Sequence, residues 1–184
     1  MPDTTALVNS TWNIDPAHTT IGFTVKHMMF TTVRGRFKDF KAVVRAGASA
    51  ADSSVEAEIQ AASIDTGVAD RDNHLRSADF LDVEHHPTLT FRSKRVEGTP
   101  AKEGDAFRVS GDLTIRGVTR EVTLDCVFEG SGTDPWGGTR AGVRATTGID
   151  RHDWGLGWNQ VLETGGVLVG AHVRIEIEAQ AVKA

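Results

Sequence analysis

The sequence predicts an all-β fold, a single-domain, extended, eight-stranded antiparallel barrel, on three observations. Val, Thr and Ile, whose β-branched side chains suit a pleated sheet, account for 47 of the 184 residues. Apolar and polar residues alternate along several long stretches, which is the period of a half-buried strand. The stretches cover about half of the chain, well above the roughly 20–25% strand of an ordinary domain.

The alternation defines eight strands with short connections. They are predicted at 19–27, 33–45, 54–62, 88–97, 105–116, 118–129, 139–149 and 168–182. The strands at 105–116 and 118–129 form a hairpin around Gly117. Between Phe37 and Phe40 the apolar spacing slips to three residues, which predicts a bulge in the second strand. One apolar face per strand favours an antiparallel sheet, and closure into a barrel removes its exposed edges.

Residues 67–87 are the exception to the strand pattern. Asp70 is placed to cap a short helix from Arg71 to Ser77, so a helical insertion is predicted near residues 70–83. Its apolar residues Leu75 and Phe80 need a surface to pack on, and the open end of a barrel is the nearest one. We therefore expect this insertion to act as a lid. The whole chain, 1–184, is interpreted as one domain, with 1–10 as a flexible N-terminus.

Charge and composition exclude several classes of partner. A net charge of −5 and a pI near 5.8 give no positive field for a phosphate backbone, so we expect no nucleic-acid partner. The single cysteine, Cys126, excludes an internal disulfide. No apolar run reaches the length of a transmembrane segment, and no secretory signal pattern opens the chain. A cytoplasmic protein is the resulting expectation.

Motifs of catalysis and metal binding are weak in this sequence. The seven histidines do not show the spacing of common zinc sites, although a cluster drawn from separate strands stays open. The string Glu129–Thr133 lacks the nucleophile-elbow pattern, and no glycine cluster matches a phosphate-binding loop. Cys126 alternates with apolar neighbours, which favours an inert buried thiol. We expect no metal, no cofactor and no catalytic residue.

The inward faces carry many small residues. Ala57, Val143, Ala145 and a mid-strand Gly111 are examples, and the larger Ile59 lies on the same inferred inner faces. An eight-stranded barrel is either filled by its own side chains or holds one small ligand. Small side chains favour an elongated apolar cavity, and the alternative is an ordinary core packed by the Phe and Trp residues.

Five blocks of the sequence, in order from Thr11 to Glu178, resemble the YceI-like family of lipocalin-like polyisoprenoid-binding proteins. The blocks are Trp12–His18 with Arg34–Phe37, Arg71–Asp82 with Pro87 and Phe91, Gly111–Arg120, Ile149–Gly155, and Val169–Ile177. The departures are Leu81 where a second Phe is common, His86 where an aromatic residue often precedes Pro87, and Trp154 where Phe is usual.

The resemblance implies a barrel that holds a long isoprenoid or other alkyl chain in its interior, often as a homodimer. It implies no catalysis. With the inward faces, it gives the predicted ligand-binding residues Phe23, Val25, Phe37, Ala57, Ile59, Leu75, Phe80, Phe91, Phe107, Leu113, Phe128, Val143, Ala145, Trp154 and Trp158. The polar residues predicted at the barrel mouth are Asp15, His18, Arg34, Asp150 and Arg151.

Three functions follow from these patterns. The first is non-enzymatic binding, transport or sequestration of a polyisoprenoid, an isoprenoid quinone precursor or a fatty-acyl molecule. The second is a small barrel enzyme that acts on such a lipid, with His18, His27 or Asp150 as general acid or base. The third is a stress-related structural protein without a ligand.

Overall fold

A computed structural model describes residues 7–184, in which eleven strands form one antiparallel sheet. The strands are β1 (Ser10–Ile14), β2 (Thr20–His27), β3 (Thr31–Phe37), β4 (Phe40–Ala46), β5 (Ser54–Gln60), β6 (Ile64–Asp65), β7 (Thr88–Glu97), β8 (Ala106–Ile115), β9 (Val118–Thr133), β10 (Thr139–Asp150) and β11 (Val169–Lys183). One helix, α1 (Ala69–Arg76), lies between β6 and β7.

The sheet closes into an eight-stranded barrel because β11 pairs on both edges. One edge of β11 pairs with β10, and the other pairs with β2 and then β1. On the next strand along, β3 pairs with β2 and β4 pairs with β1. On the strand after that, β6 pairs with β3 and β5 pairs with β4. The pairs β1–β2, β3–β4 and β5–β6 are therefore three long strands, each interrupted once. With β7 to β11 they make eight. The predicted fold class, including the helical insertion, is confirmed.

The predicted strand at 33–45 divides into two strands at the place where the slip between Phe37 and Phe40 predicted a bulge, so an irregularity is present there, but it is a break rather than a bulge in a continuous strand. The chain leaves the ladder at Lys38 and Asp39, where β3 ends and β4 begins. This break matches one in the neighbouring strand: β3 pairs with β2 and β4 pairs with β1, and β1 and β2 are themselves separated between Ile14 and Thr20. Strand β1 was not predicted, because it is short and only Trp12 in it is buried.

The other predicted strands are present, with ends that move by four residues or fewer. The β8–β9 hairpin turns at Arg116 and Gly117, both with positive φ (49° and 74°), the geometry of a two-residue turn with glycine in second place. Helix α1 starts two residues earlier than predicted. Asp70 does not cap it, since Val68 occupies the N-cap position and makes no side-chain cap.

The register of the barrel wall places the predicted small residues inside. Ala145 is 5% exposed and packs in the apolar core, whereas its neighbour Arg144 points outward to an ion pair with Glu129 at 3.2 Å. The expected flexible N-terminus lies mostly outside the described residues, and Ser10 already belongs to β1. The assignment of 1–184 to one domain stays a prediction.

Candidate binding site in the barrel interior

An apolar cavity of about 180 Å³ lies at the end of the barrel covered by α1. Strands β2 and β3 form one side, and α1 with the segments around residues 158 and 168 forms the other. Period-two alternation brings one face of β2 and β3 to the cavity, and the last turn of α1 brings its apolar side. The apolar side chains that line it are Phe23, Val25, Val33, Leu75, Phe80, Trp158, Leu168 and Val169.

The cavity is roofed by three rings from separate segments. The His74 ring meets Phe80 edge-on at a centroid distance of 5.0 Å and Trp158 edge-on at 4.6 Å. Phe80 and Trp158 are 5.4 Å apart. His74 Nε2 also lies 2.8 Å from Asp79 Oδ2, so the ring is oriented by a carboxylate outside the cavity. These contacts fasten α1 to the segment around Trp158 across the top of the cavity.

Helix α1 is tied to the barrel at both of its ends. At the start, the buried carboxylate of Asp72 accepts hydrogen bonds from the backbone N–H and hydroxyl of Thr66, at 2.8 and 2.6 Å. Arg71 Nε donates to the same hydroxyl at 2.7 Å. At the end, Arg76 donates to the carbonyls of Ala62 and Ile64 at 2.8 and 3.0 Å. The position of α1 is therefore set by side-chain hydrogen bonds to the short stretch from Ala62 to Thr66.

Arg151 fixes the segments around Trp158 and Leu168, which border the cavity on the same side as α1. Its guanidinium is buried and donates to four carbonyl oxygens, those of Leu156, Trp158, Val169 and Gly170. Burial lowers the pKa of this guanidinium from its ordinary value. Because the bonds all go to backbone, Arg151 holds two stretches of chain in place: Leu156 to Trp158, and Val169 to Gly170, which directly follow Leu168.

The fifteen predicted ligand-binding residues divide into two groups. Five of them line the cavity: Phe23, Val25, Leu75, Phe80 and Trp158. The other ten are buried in the barrel or pack against its core: Phe37, Ala57, Ile59, Phe91, Phe107, Leu113, Phe128, Val143, Ala145 and Trp154. Leu75 and Phe80 lie where the lid hypothesis placed them, and ligand contact by any of the fifteen stays a prediction.

The five predicted mouth residues do not lie together. Asp150 and Arg151 lie at the cavity end, beside the start of β11, where exposed Asp150 bonds His152 at 2.8 Å. Asp15 lies beside Gln180, eight residues further along β11 and thus about 26 Å away at about 3.3 Å per residue. Arg34 points outward from β3. These residues therefore do not form one polar cluster at a single end of the barrel.

Asp15 belongs to a separate polar cluster at the far end of the barrel. Its Oδ2 is 2.7 Å from Arg140 and 2.8 Å from His18, and Arg140 also bonds Asp134 at 2.7 Å. The hydrogen bond from Arg140, followed by that from His18, lowers the pKa of Asp15 to about 2. This cluster ties the turn after β1 to the β9–β10 hairpin.

Eight residues that line the cavity are absent from the predicted ligand-binding set: Lys26, His27, Val33, Thr66, Arg71, His74, Leu168 and Val169. The sequence did contain a signal for Val33, since the period of two places it on the same face of the strand as Gly35 and Phe37. Gly35 itself allows the close approach of Phe23, because a Cβ there would lie 2.3 Å from the Phe23 ring. Leu168 is the first residue of the predicted strand at 168–182, but it lies just before β11, and only the folded chain shows that it reaches the cavity.

A larger concavity, of about 830 Å³, lies on the outside of the β8–β11 wall. Charged residues surround it, including Arg108, Arg144 and Glu178, so it does not suit an apolar chain. Cys126 lies behind it in the core, where burial raises the pKa of its thiol to about 12 and keeps it protonated. Among residues 7–184, no group of three His, Cys, Asp or Glu side chains could hold a metal ion. In the same range no helix is long and apolar enough to cross a membrane.

Comparison with known proteins gives the same family along nearly the whole chain. The sequence model of the YceI-like domain matches residues 12–181. A UPF0312 protein of Staphylococcus epidermidis is 38% identical over 171 residues, which cover 92% of this chain and 95% of that protein. A UPF0312 protein of Staphylococcus aureus is 36% identical over the same length, with the same coverage.

Solved structures share the barrel. The YCEI protein of Campylobacter jejuni is 29% identical, with a TM-score of 0.72 over 92% of this chain and 96% of that one. A polyisoprenoid binding domain from Saccharophagus degradans has a TM-score of 0.71 at 13% identity and covers 94% of this chain and 98% of its own, which shows a shared fold. Given the matched residues 12–181, the relatives above 30% identity and the common closed barrel, the chain belongs to the YceI-like family.

Proposed function

We propose that the chain binds a long apolar lipid inside the barrel and does so without chemistry on it. The ligand classes are a polyisoprenoid, an isoprenoid quinone precursor or a fatty-acyl molecule. One observation carries the proposal: an apolar cavity, partly open to the surface, lies at the end of a closed barrel beneath a helix that side chains attach to the barrel. Apolar surface gains about 25 cal/mol per Å² on leaving water, so a long chain needs few polar contacts to be held.

The cavity is smaller than such a ligand. A dry cavity of about 150 Å³ holds one benzene, so 180 Å³ takes only a short piece of a long chain. We propose that the remaining length enters the barrel along its axis, beside inward-facing Ile21, Val143 and Ile175, which pack against the core but are only half-buried. Uptake then requires the segment from Arg71 to Val83 to move, and this motion breaks the edge-on and tilted contacts among the rings of His74, Phe80 and Trp158.

The placement of the titratable groups supports binding over catalysis. His18 is exposed and pairs with Asp15 at the far end of the barrel. Asp150 is exposed and bonds His152. Of the three candidate acid–base groups, only His27 lies at the cavity. The Saccharophagus domain of the same fold binds a polyisoprenoid, and we extend that ligand class to this chain.

Native mass spectrometry of freshly purified protein tests the proposal. An adduct of several hundred daltons that denaturation removes is the expected result. A bare protein mass under gentle conditions, both before and after incubation with a polyisoprenol, contradicts it and favours the structural protein without a ligand. A recovered lipid of altered structure favours the enzyme instead.

The homodimer and the cytoplasmic location stay predictions. Analytical ultracentrifugation at micromolar concentration measures the first, and fractionation of the source cells measures the second. A monomer throughout the concentration range, or protein found in another compartment, would show the respective prediction to be wrong.

A further inference from the structure

The exposed apolar side chains of the chain gather at the cavity end of the barrel. Seven large apolar residues are exposed among residues 7–184, and five of them lie on segments that border the cavity. Met28, Met29 and Phe30 form the tip of the β2–β3 hairpin. Val68 precedes α1, and Val161 lies in the loop between Trp158 and Leu168.

The hairpin tip is continuous with the cavity wall. Val25, Lys26 and His27 line the cavity, and the chain then passes directly into the tip. Met28 N–H donates to the Leu168 carbonyl at 2.8 Å, so the tip is joined to a second cavity segment. The exposed rings and thioethers therefore stand next to the apolar interior.

The tip holds its apolar residues outward at a cost in backbone energy. Phe30 N–H donates to the His27 carbonyl at 3.3 Å, and the two residues between them have φ of 52° and 70°. These two residues have left-handed backbone within a three-residue loop, since His27 pairs with Thr31, and Asn and Gly are the residues that adopt such backbone at least cost. Met28 and Met29 occupy these positions although left-handed backbone is unfavourable for both. Folding alone gives no reason for apolar side chains there.

The exposed area decides which kind of partner fits. Phe30 is 74% exposed, Met29 61% and Val161 85%. With Met28 and Val68 they expose on the order of 500 Å², if each fully exposed side chain contributes roughly 150–200 Å². A stable protein interface needs about 800 Å² from each partner. The residues also project from three separate segments rather than lining one groove, which suits a fluid apolar surface better than a second folded chain.

Resting on the proposed function, we propose that this end of the barrel docks onto the surface of a lipid bilayer, with Met28, Met29 and Phe30 inserted among the acyl chains. A long apolar ligand is hardly present free in water, so a binding protein gains by meeting it in the membrane. The net charge of −5 gives no general attraction to anionic lipid, so the contact depends on apolar insertion rather than on charge. Opening of the segment from Arg71 to Val83 would then connect the cavity to the bilayer.

Flotation with phosphatidylcholine vesicles that contain no isoprenoid tests the docking. The wild-type protein is expected to float with the vesicles. A variant with Met28→Asn, Met29→Gly and Phe30→Ser places Asn and Gly at the two left-handed positions, so its unfolding free energy is expected to be equal or higher. Its vesicle-bound fraction is expected to fall at least tenfold, because most of the inserted apolar area is gone.

The matched control is Trp136→Ser, which removes an 86% exposed aromatic ring at the far end of the barrel. This variant is expected to float like the wild type. Wild-type protein that stays at the bottom, or a hairpin variant that floats as well as the wild type, overturns the docking. A dimer that the hairpin variant abolishes, without any flotation, assigns the surface to a second copy and also overturns it. Failure of flotation leaves the native mass spectrum unaffected, so the proposed function fails only by its own experiment.

Discussion

Filling the cavity from its own wall separates ligand binding from stability. Val25 lines the 180 Å³ cavity from the centre of β2, and the change Val25→Phe places a ring there. Because about 150 Å³ accommodates a benzene, the ring fits without overpacking, and we expect the unfolding free energy to change by less than about 1 kcal/mol. The ring displaces roughly four to six chain carbons, each contributing about 0.8 kcal/mol. Affinity for a polyisoprenol should therefore fall by at least about 3 kcal/mol, over a hundredfold.

The assay combines urea unfolding with titration of a fluorescent polyprenyl analogue. The matched control is Val109→Phe, which introduces the same ring at a buried core position away from the cavity. Overpacking there should cost about 1–3 kcal/mol in stability. If Val25→Phe destabilises the protein as much as Val109→Phe and still binds the analogue like the wild type, the cavity is not the binding site.

Four further predictions follow from the same structure. Arg151→Ala should lower the unfolding free energy by at least about 3 kcal/mol, since four carbonyls lose their donor, and leave the bound lipid species unchanged in extracts. If the bound chain continues past the cavity along the barrel axis, Ala145→Phe, at a buried position of the barrel wall, should abolish lipid copurification in a protein that still folds; a destabilised variant that binds normally would support the packed core. Asp15, whose pKa Arg140 lowers to about 2, stabilises the fold above pH 4 and loses that effect as pH falls towards 2; Asp15→Asn should flatten this acid dependence in urea midpoints. In the apo protein, the amides from Arg71 to Phe80 should exchange faster than those of the β8–β9 hairpin, and they should slow once lipid is bound. Amides from Arg71 to Phe80 that are as slow as the hairpin both with and without lipid would exclude lid motion.

Local pattern was sufficient for the parts of the fold whose signal is local. The β8–β9 hairpin was predicted because strict alternation on both sides of Gly117 specifies its strands and its turn. The slip from Phe37 to Phe40 predicted a bulge at Lys38 and Asp39, but local spacing does not distinguish a bulge from a full break between two strands. The break matches the interruption of the partner strand after Ile14, which is a property of the closed barrel.

The site was predictable only in its apolar half. Phe23, Val25 and Leu75 were found because period and burial indicate an inward face. The polar residues were predicted to lie together at one mouth of the barrel, whereas Asp15 and Asp150 lie beside opposite ends of β11. Strand ends look alike in sequence, and only the pairing register shows which ends meet.

Intermolecular NMR contacts test the central claim, an apolar chain inside the barrel, most directly. Isotope-filtered spectra would be recorded on ¹³C-labelled protein with an unlabelled polyisoprenol. The account predicts contacts from the lipid methyl groups to Val25, Phe80 and Trp158 beneath the lid, and to Ala145 further along the barrel axis. Contacts confined to the charged outer wall around Arg108 and Arg144, or no contacts at saturating lipid, would contradict it.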